Sequence, residues 1–108
     1  MTVYDLSKNG QFNVLCLPDP ERKIEGVYIG DLLSWVMGRA QSDNIWITIM
    51  SNINVIAVAS LSDVSCVLLA ENVTLDDEVL NTAKAKGINI LSTPLAAYDA
   101  AVRISGMI

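Results

Sequence analysis

The stretch Ile45–Ala70, IWITIMSNINVIAVASLSDVSCVLLA, decides how this chain folds. Of its 26 residues 18 are apolar, and the only charge is Asp63. Such a run must be hidden, either in lipid or in a protein core. A membrane-spanning helix needs about 20 consecutive, mostly apolar residues. Here Thr48, Ser51, Asn52, Asn54, Ser60 and Ser62 interrupt the run, and no belt of aromatic and basic residues frames its ends. The polar breaks divide it instead into strand, helix and strand. Ile45–Met50 is nearly continuous in β-branched residues and reads as a strand buried on both faces. Ser51-Asn52 ends it, Asn54 caps a short helix reaching about Ser62, and Ser65–Ala70 is a second buried strand. The connection Ser51–Val64 has 14 residues, which is enough for a parallel crossover of roughly 10–12. Ala57, Ala59 and Ser60 are small enough to let that helix approach the sheet closely. It is apolar nearly all round, so its outer side is expected to meet a second subunit.

Working outward, Phe12–Leu17 is a short strand candidate stopped by Pro18-Asp19-Pro20. Val27-Tyr28-Ile29 is another, bracketed by Gly26 and Gly30. A helix follows from Asp31, with Leu32, Leu33, Val36, Met37 and Ala40 on its expected inner face. Trp35 falls outside that face, on a ridge with Asp31 and Arg39. It either lies along the helix flank over neighbouring loops or anchors an interface. Thr74, with Asp77 three residues on, is read as the cap of a helix whose acidic start and Lys84 and Lys86 near its end agree with the macrodipole. Gly87 stops that helix, and Ile88–Leu91 is a strand. Thr93 and Pro94 are read as the cap and first residue of the last helix. Residues 1–11 are polar and expected to be loosely held. The alternation predicts one α/β domain over residues 1–108, with a mostly parallel sheet of about four to five strands.

Composition narrows the function. The chain has 108 residues, 7 basic against 12 acidic, and a net charge of −5. That balance repels phosphate backbones and anionic membrane surfaces, so neither nucleic acid nor membrane is expected as a partner. The hydrophobic share is 52% with few aromatics. A small domain this aliphatic is expected to hide part of its surface in a homodimer. Cys16 and Cys66 sit in apolar stretches and read as free, buried small hydrophobes. With no histidine and no Cys-x-x-Cys, no metal site or cofactor is expected. No charged region followed by an apolar one opens the sequence, and the chain reads as cytoplasmic.

Four segments in order resemble the DRTGG domain: Gly30–Met37, Ile45–Ile49, Asn54–Ala59 and Ile90–Pro94. The resemblance covers about residue 12 to the end. It implies an accessory or regulatory module rather than an enzyme. Such domains occur beside nucleotide-binding CBS domains in regulated pyrophosphatases, where they contribute to dimer contacts, and in phosphotransacetylases. A related domain resembles the N-terminal part of HPr kinase, and stand-alone copies are labelled serine kinase by association. The Asp-Arg and Thr-Gly-Gly that name the family match Ser51-Asn52 and Ala70-Glu71-Asn72 here, so the signature residues themselves are replaced.

A kinase is not expected, because the P-loop pattern is missing: Gly26 and Gly30 are four apart and no Lys follows. The polar candidates are Asp31, Ser34, Thr48, Asn54, Ser92 and Thr93. All but Thr48 lie near strand-to-helix junctions, the edge where open α/β sheets bind ligands. Singly, each serves as a cap or turn residue. Together they could line a pocket suited to a small anionic or nucleotide ligand at helix N-termini. Trp35, Arg39, Ala57 and Ala59 are the candidate interface residues. Two readings follow: a non-catalytic, homodimeric regulatory module attached to a partner enzyme, and alternatively an enzyme or enzyme subunit acting on a phosphorylated metabolite.

Overall fold

The computed structural model describes residues 1–108. In chain order the elements are α1 (Val3–Ser7), β1 (Asn13–Cys16), β2 (Gly26–Ile29), α2 (Leu33–Arg39), β3 (Asn44–Thr48), α3 (Asn54–Ser62), β4 (Cys66–Leu69), α4 (Asp77–Ala85), β5 (Ile90–Ser92) and α5 (Ala97–Ser105). The five strands form one sheet in the order β1-β5-β4-β3-β2. β2 through β5 run parallel, and β1 is antiparallel on the outer edge of β5. This is the expected α/β domain with a mostly parallel sheet.

The topology explains where the helices lie. From β2 to β5 each strand is laid beside the one before it, always in the same direction. Right-handed crossovers then put all three connecting helices on one face. Accordingly Val36 of α2, Val55, Ile56, Val58 and Ala59 of α3, and Val79 and Ala83 of α4 share a core with Trp46, Val67 and Ile90. The other face packs Ile45, Ile47, Cys66, Leu68 and Leu91 against Val3 and Leu6 of α1 and Ala100 and Ile104 of α5. A sheet covered on both faces needs apolar residues at nearly every strand position, which is why β3 and β4 show no alternation. Trp46 is fully buried and its Nε1 donates to the Gly30 carbonyl at 2.9 Å. Truncating it to alanine is expected to cost about 3–5 kcal/mol.

Several local expectations need correction. The first residues are not loose: α1 is closed by a capping box, with Asp5 N–H donating to Thr2 Oγ1 and Thr2 N–H to Asp5 Oδ2, and Val3 and Leu6 are fully buried. The inner face expected for α2 is only partly used. Val36 is buried and Leu33 and Ala40 are half-buried, but Leu32 and Met37 are 59% and 53% exposed. α2 lies beside the edge strand and packs on α3, so no layer covers its far side. Asn54 is the first helical residue of α3, not its cap; Asn52 Oδ1 accepts from its N–H at 2.9 Å. Asp76, rather than Thr74, precedes α4, because the chain first inserts Leu75 into the core. α5 begins at Ala97, three residues beyond Pro94, since Thr93 is fully buried and its hydroxyl accepts from Leu95 N–H in a turn. Gly87 does end α4, at φ 72°.

Both cysteines are free and buried. Cys16 Sγ donates to the Ile88 carbonyl, and full burial pushes the Cys66 thiol up to about 12. No helix is long and apolar enough to cross a membrane.

Candidate functional site

The candidate residues gather, in part, along the carboxyl ends of the strands. Asp31 follows β2 and reaches across to β3: its Oδ1 accepts from Thr48 Oγ1 at 2.8 Å and from Ile49 N–H at 3.0 Å. Thr48 Oγ1 in turn accepts from Met50 N–H. The Asp31 side chain thus shapes the loop that leaves β3; both hydrogen bonds use Oδ1, and the residue is exposed. Thr48, Leu69 and Ser92 form one cross-strand row. Two strand spacings, about 10 Å, therefore separate Thr48 from Ser92, and both are buried. Ser34 and Asn54 are exposed on the first turns of α2 and α3, and neither side chain bonds to this row.

Ligand crevices in such sheets open where neighbouring strands send their chains to opposite faces. Here that divergence falls between β4, which leads to α4 on one face, and β5, which leads to α5 on the other. The fork is closed by backbone. Glu71 N–H donates to the Leu95 carbonyl and Asn72 N–H to the Thr93 carbonyl, both at 2.9 Å. The geometry depends on Glu71 and Asn72 adopting left-handed conformations, φ 57° and 61°. Glycine adopts this left-handed backbone freely, whereas Glu71 and Asn72 hold it with a Cβ in place.

The rim carries the carboxylates of Asp31 and Glu71, and acidic first turns face it from α4 and α5. Five of the chain's seven basic residues collect at the opposite end. Arg39, Lys84 and Lys86 end α2 and α4, while Arg22 and Lys23 precede β2. There Arg22 pairs with Asp43 at 2.9 Å and Asp63 at 2.8 Å, and Lys23 pairs with Glu25 and Asp43. Ser42 Oγ also donates to Asp63 Oδ2 at 2.6 Å. The Ser42 hydrogen bond, then Arg22, hold the Asp63 carboxyl below its ordinary value. This clasp was not visible in the sequence, because its three charged members stand about twenty residues apart.

One concavity lies away from the rim and the other runs from it along α5. A polar cleft of about 440 Å³ opens beside the clasp, between the carboxyl ends of α3 and α4. A shallower groove of about 540 Å³ follows α5 from Leu95 to Gly106. No group of three or more Cys, Asp or Glu is close enough to hold a metal ion.

Of the candidate interface residues, Trp35 is 53% exposed and the Arg39 guanidinium stacks on its ring at 3.7 Å from the centroid. Ala57 is exposed on the outer side of α3, with Ile53 and Leu61 one turn to either side. Ala59 is fully buried toward the sheet, which removes it from any surface.

A solved structure, that of the CBS and DRTGG domains of the regulatory region of Clostridium perfringens pyrophosphatase complexed with the activator diadenosine tetraphosphate, is similar to this chain with a TM-score of 0.65. The identity is 16%, and the match covers 85% of this chain and 40% of that one. The chain therefore spans less than half of the solved regulatory region, and the likeness is one of fold. No curated protein sequence matches it. The family model described as DRTGG domain matches residues 13–107, nearly the whole chain. This chain belongs to the DRTGG domain family.

Proposed function

We propose that the chain is a non-catalytic regulatory module that binds a small ligand at the rim and works with a partner enzyme. The observation carrying this is the fork between β4 and β5. Two backbone hydrogen bonds from a left-handed two-residue turn hold it shut. A ligand competing for those amides would reshape both loops at once, as a sensor requires. The rim's polar side chains support a binding role over chemistry, since Asp31, Thr48 and Thr93 are engaged with neighbouring backbone. With Asp31 and Glu71 nearby and no cation among the rim residues, the rim favours a ligand presenting donor groups to Asp31. Any phosphates would rest on backbone amides. The pyrophosphatase regulatory region, which binds a dinucleotide activator, supports a nucleotide as the first ligand to try.

The test is a titration with nucleotides, dinucleoside polyphosphates and inorganic phosphate, followed by amide chemical shifts. Saturable shifts at residues 31, 48–49, 70–72 and 93–95 are expected; their absence across the panel would overturn the rim as a site. Steady turnover with ATP and phosphoacceptors above a buffer control would instead support the enzyme reading.

The same proposal includes a homodimer through the outer side of α2 and α3. Trp35 under Arg39, with Ile53, Ala57 and Leu61, supplies the apolar centre and cationic edge that such contacts use. A sedimentation mass near 11.7 kDa at micromolar concentration would refute it. In this reading the module acts in the cytoplasm, where its two free thiols stay reduced.

A further inference from the structure

The cleft beside the clasp is at the opposite end of the sheet from the rim, and nothing above gives it a role. Its charges are unequal in availability. Arg22 is already neutralised by Asp43 and Asp63. Asp63 is further occupied by Ser42. Two lining groups remain without an ion pair or side-chain hydrogen bond: the Asp19 carboxylate and the Lys86 ammonium. Asp19 is fixed by its backbone, which exchanges two hydrogen bonds with the buried Asn89 side chain, 2.9 Å from its N–H and 2.7 Å to its carbonyl. Lys86 is fixed as the C-cap of α4, directly before the left-handed Gly87. Both side chains therefore start from held backbone, and both residues line one cleft of about 440 Å³.

A simple anion is poorly matched to this cleft. The carboxyl ends of α3 and α4 both reach it, and each contributes roughly half a negative charge. With Arg22 compensated, Lys86 alone would face an anion against Asp19 and two negative helix ends. A simple cation meets Lys86. A molecule carrying both charges satisfies both groups. We propose that this cleft binds a small zwitterion of the free amino acid class, its carboxylate on Lys86 and its ammonium on Asp19.

The experiment titrates the full chain with the common amino acids at millimolar concentration, and with two analogue sets, amino acid amides lacking the carboxylate and hydroxy acids lacking the ammonium. Amide chemical shifts are the readout. At least one amino acid is expected to give saturable shifts at Asp19, Ser65, Lys86 and Gly87, with both its analogues at least about tenfold weaker. Asp19→Asn and Lys86→Gln should each weaken binding by a similar factor. Both side chains are exposed and unpartnered, so the variants should keep the parent spectrum elsewhere. Equal shifts from a hydroxy acid, shifts that survive both substitutions, or no saturable shift with any amino acid would overturn the proposal. Shifts confined to residues 31, 48–49, 70–72 and 93–95 would also overturn it, while leaving the rim reading intact.

Discussion

Both ends of the sheet hold a pair of non-glycine residues in left-handed backbone, yet they compensate the strain differently. At the amino ends of the strands they are Asp43 and Asp63, φ 67° and 57°; at the carboxyl ends they are Glu71 and Asn72. Each such residue costs roughly 1–2 kcal/mol relative to ordinary backbone, less for Asn and Asp. Asp43 and Asp63 offset that cost with their side chains, both paired to Arg22. The Glu71 and Asn72 side chains make no hydrogen bond or ion pair, and only their amides are used. One end is fastened by side-chain charge, whereas the other holds its shape through backbone alone. The second kind of end is the easier to remodel, and it is the one where the fork lies.

The sharpest way to break the contrast is Arg22→Ala. Arg22 and Asp43 are 24% and 16% exposed, so the lost pairs are partly shielded from water. The expected loss is about 1–3 kcal/mol in urea unfolding, with Asp43 left to Lys23 alone. A loss below about 0.3 kcal/mol would mean that the clasp fastens nothing. Asp43→Gly removes one of Arg22's two pairs and relieves the backbone, and should cost about 1 kcal/mol, less than Arg22→Ala.

Acid should separate the two ends next. The folded pKa of Asp63 is depressed below its unfolded value. Its contribution is therefore full above about pH 4 and is lost as pH falls through the folded value. Urea midpoints should decline more steeply below about pH 4 in the parent than in Arg22→Ala, because the variant has already lost part of what acid removes. Parallel curves would show that Arg22 has no share in the depression.

The smallest effect has the opposite sign. Glu71→Gly should stabilise the chain by up to about 1 kcal/mol, since glycine adopts the left-handed turn freely and no side-chain contact is lost. Asn72→Gly should change stability by less than about 0.5 kcal/mol, because asparagine already tolerates that conformation. A clear loss at Glu71 would reveal a side-chain role at the rim and narrow the contrast.

Sequence patterning was enough for the strands and for the order of elements, because burial on both faces writes itself as uninterrupted apolar runs. Caps were harder to place. Thr74 and Thr93 stand a few residues before their helices and Asn54 already lies inside its own, and the same residue types also form turns. The structure uses Thr93 in a turn and passes the task at α3 to Asn52. The opening helix did leave a signal: Thr2 and Asp5 have the spacing of a capping box, and Val3 and Leu6 lie on one face. Its few apolar residues were masked by polar neighbours. The exposure of Leu32 and Met37 was not legible, because it follows from the place of α2 beside an edge strand. Nor was the clasp, whose members meet only after the chain has passed through α2 and α3. At the rim, Asp31 and Thr48 were singled out and do meet, whereas closure of the fork by Glu71 and Asn72 is a backbone event that residue type alone does not announce.

Cys66 sits at the start of the middle strand with its thiol fully buried and its proton held until about pH 12. A thiol reagent in solution can meet it only after β4 has parted from its neighbours. Cys16, on the outer strand β1, needs only that strand to lift. The two sulfurs thus form a built-in pair of clocks, one timing local fraying and one timing global opening. Adding a ligand for the rim or the cleft and comparing their labelling rates would report which layer of the molecule that ligand holds together.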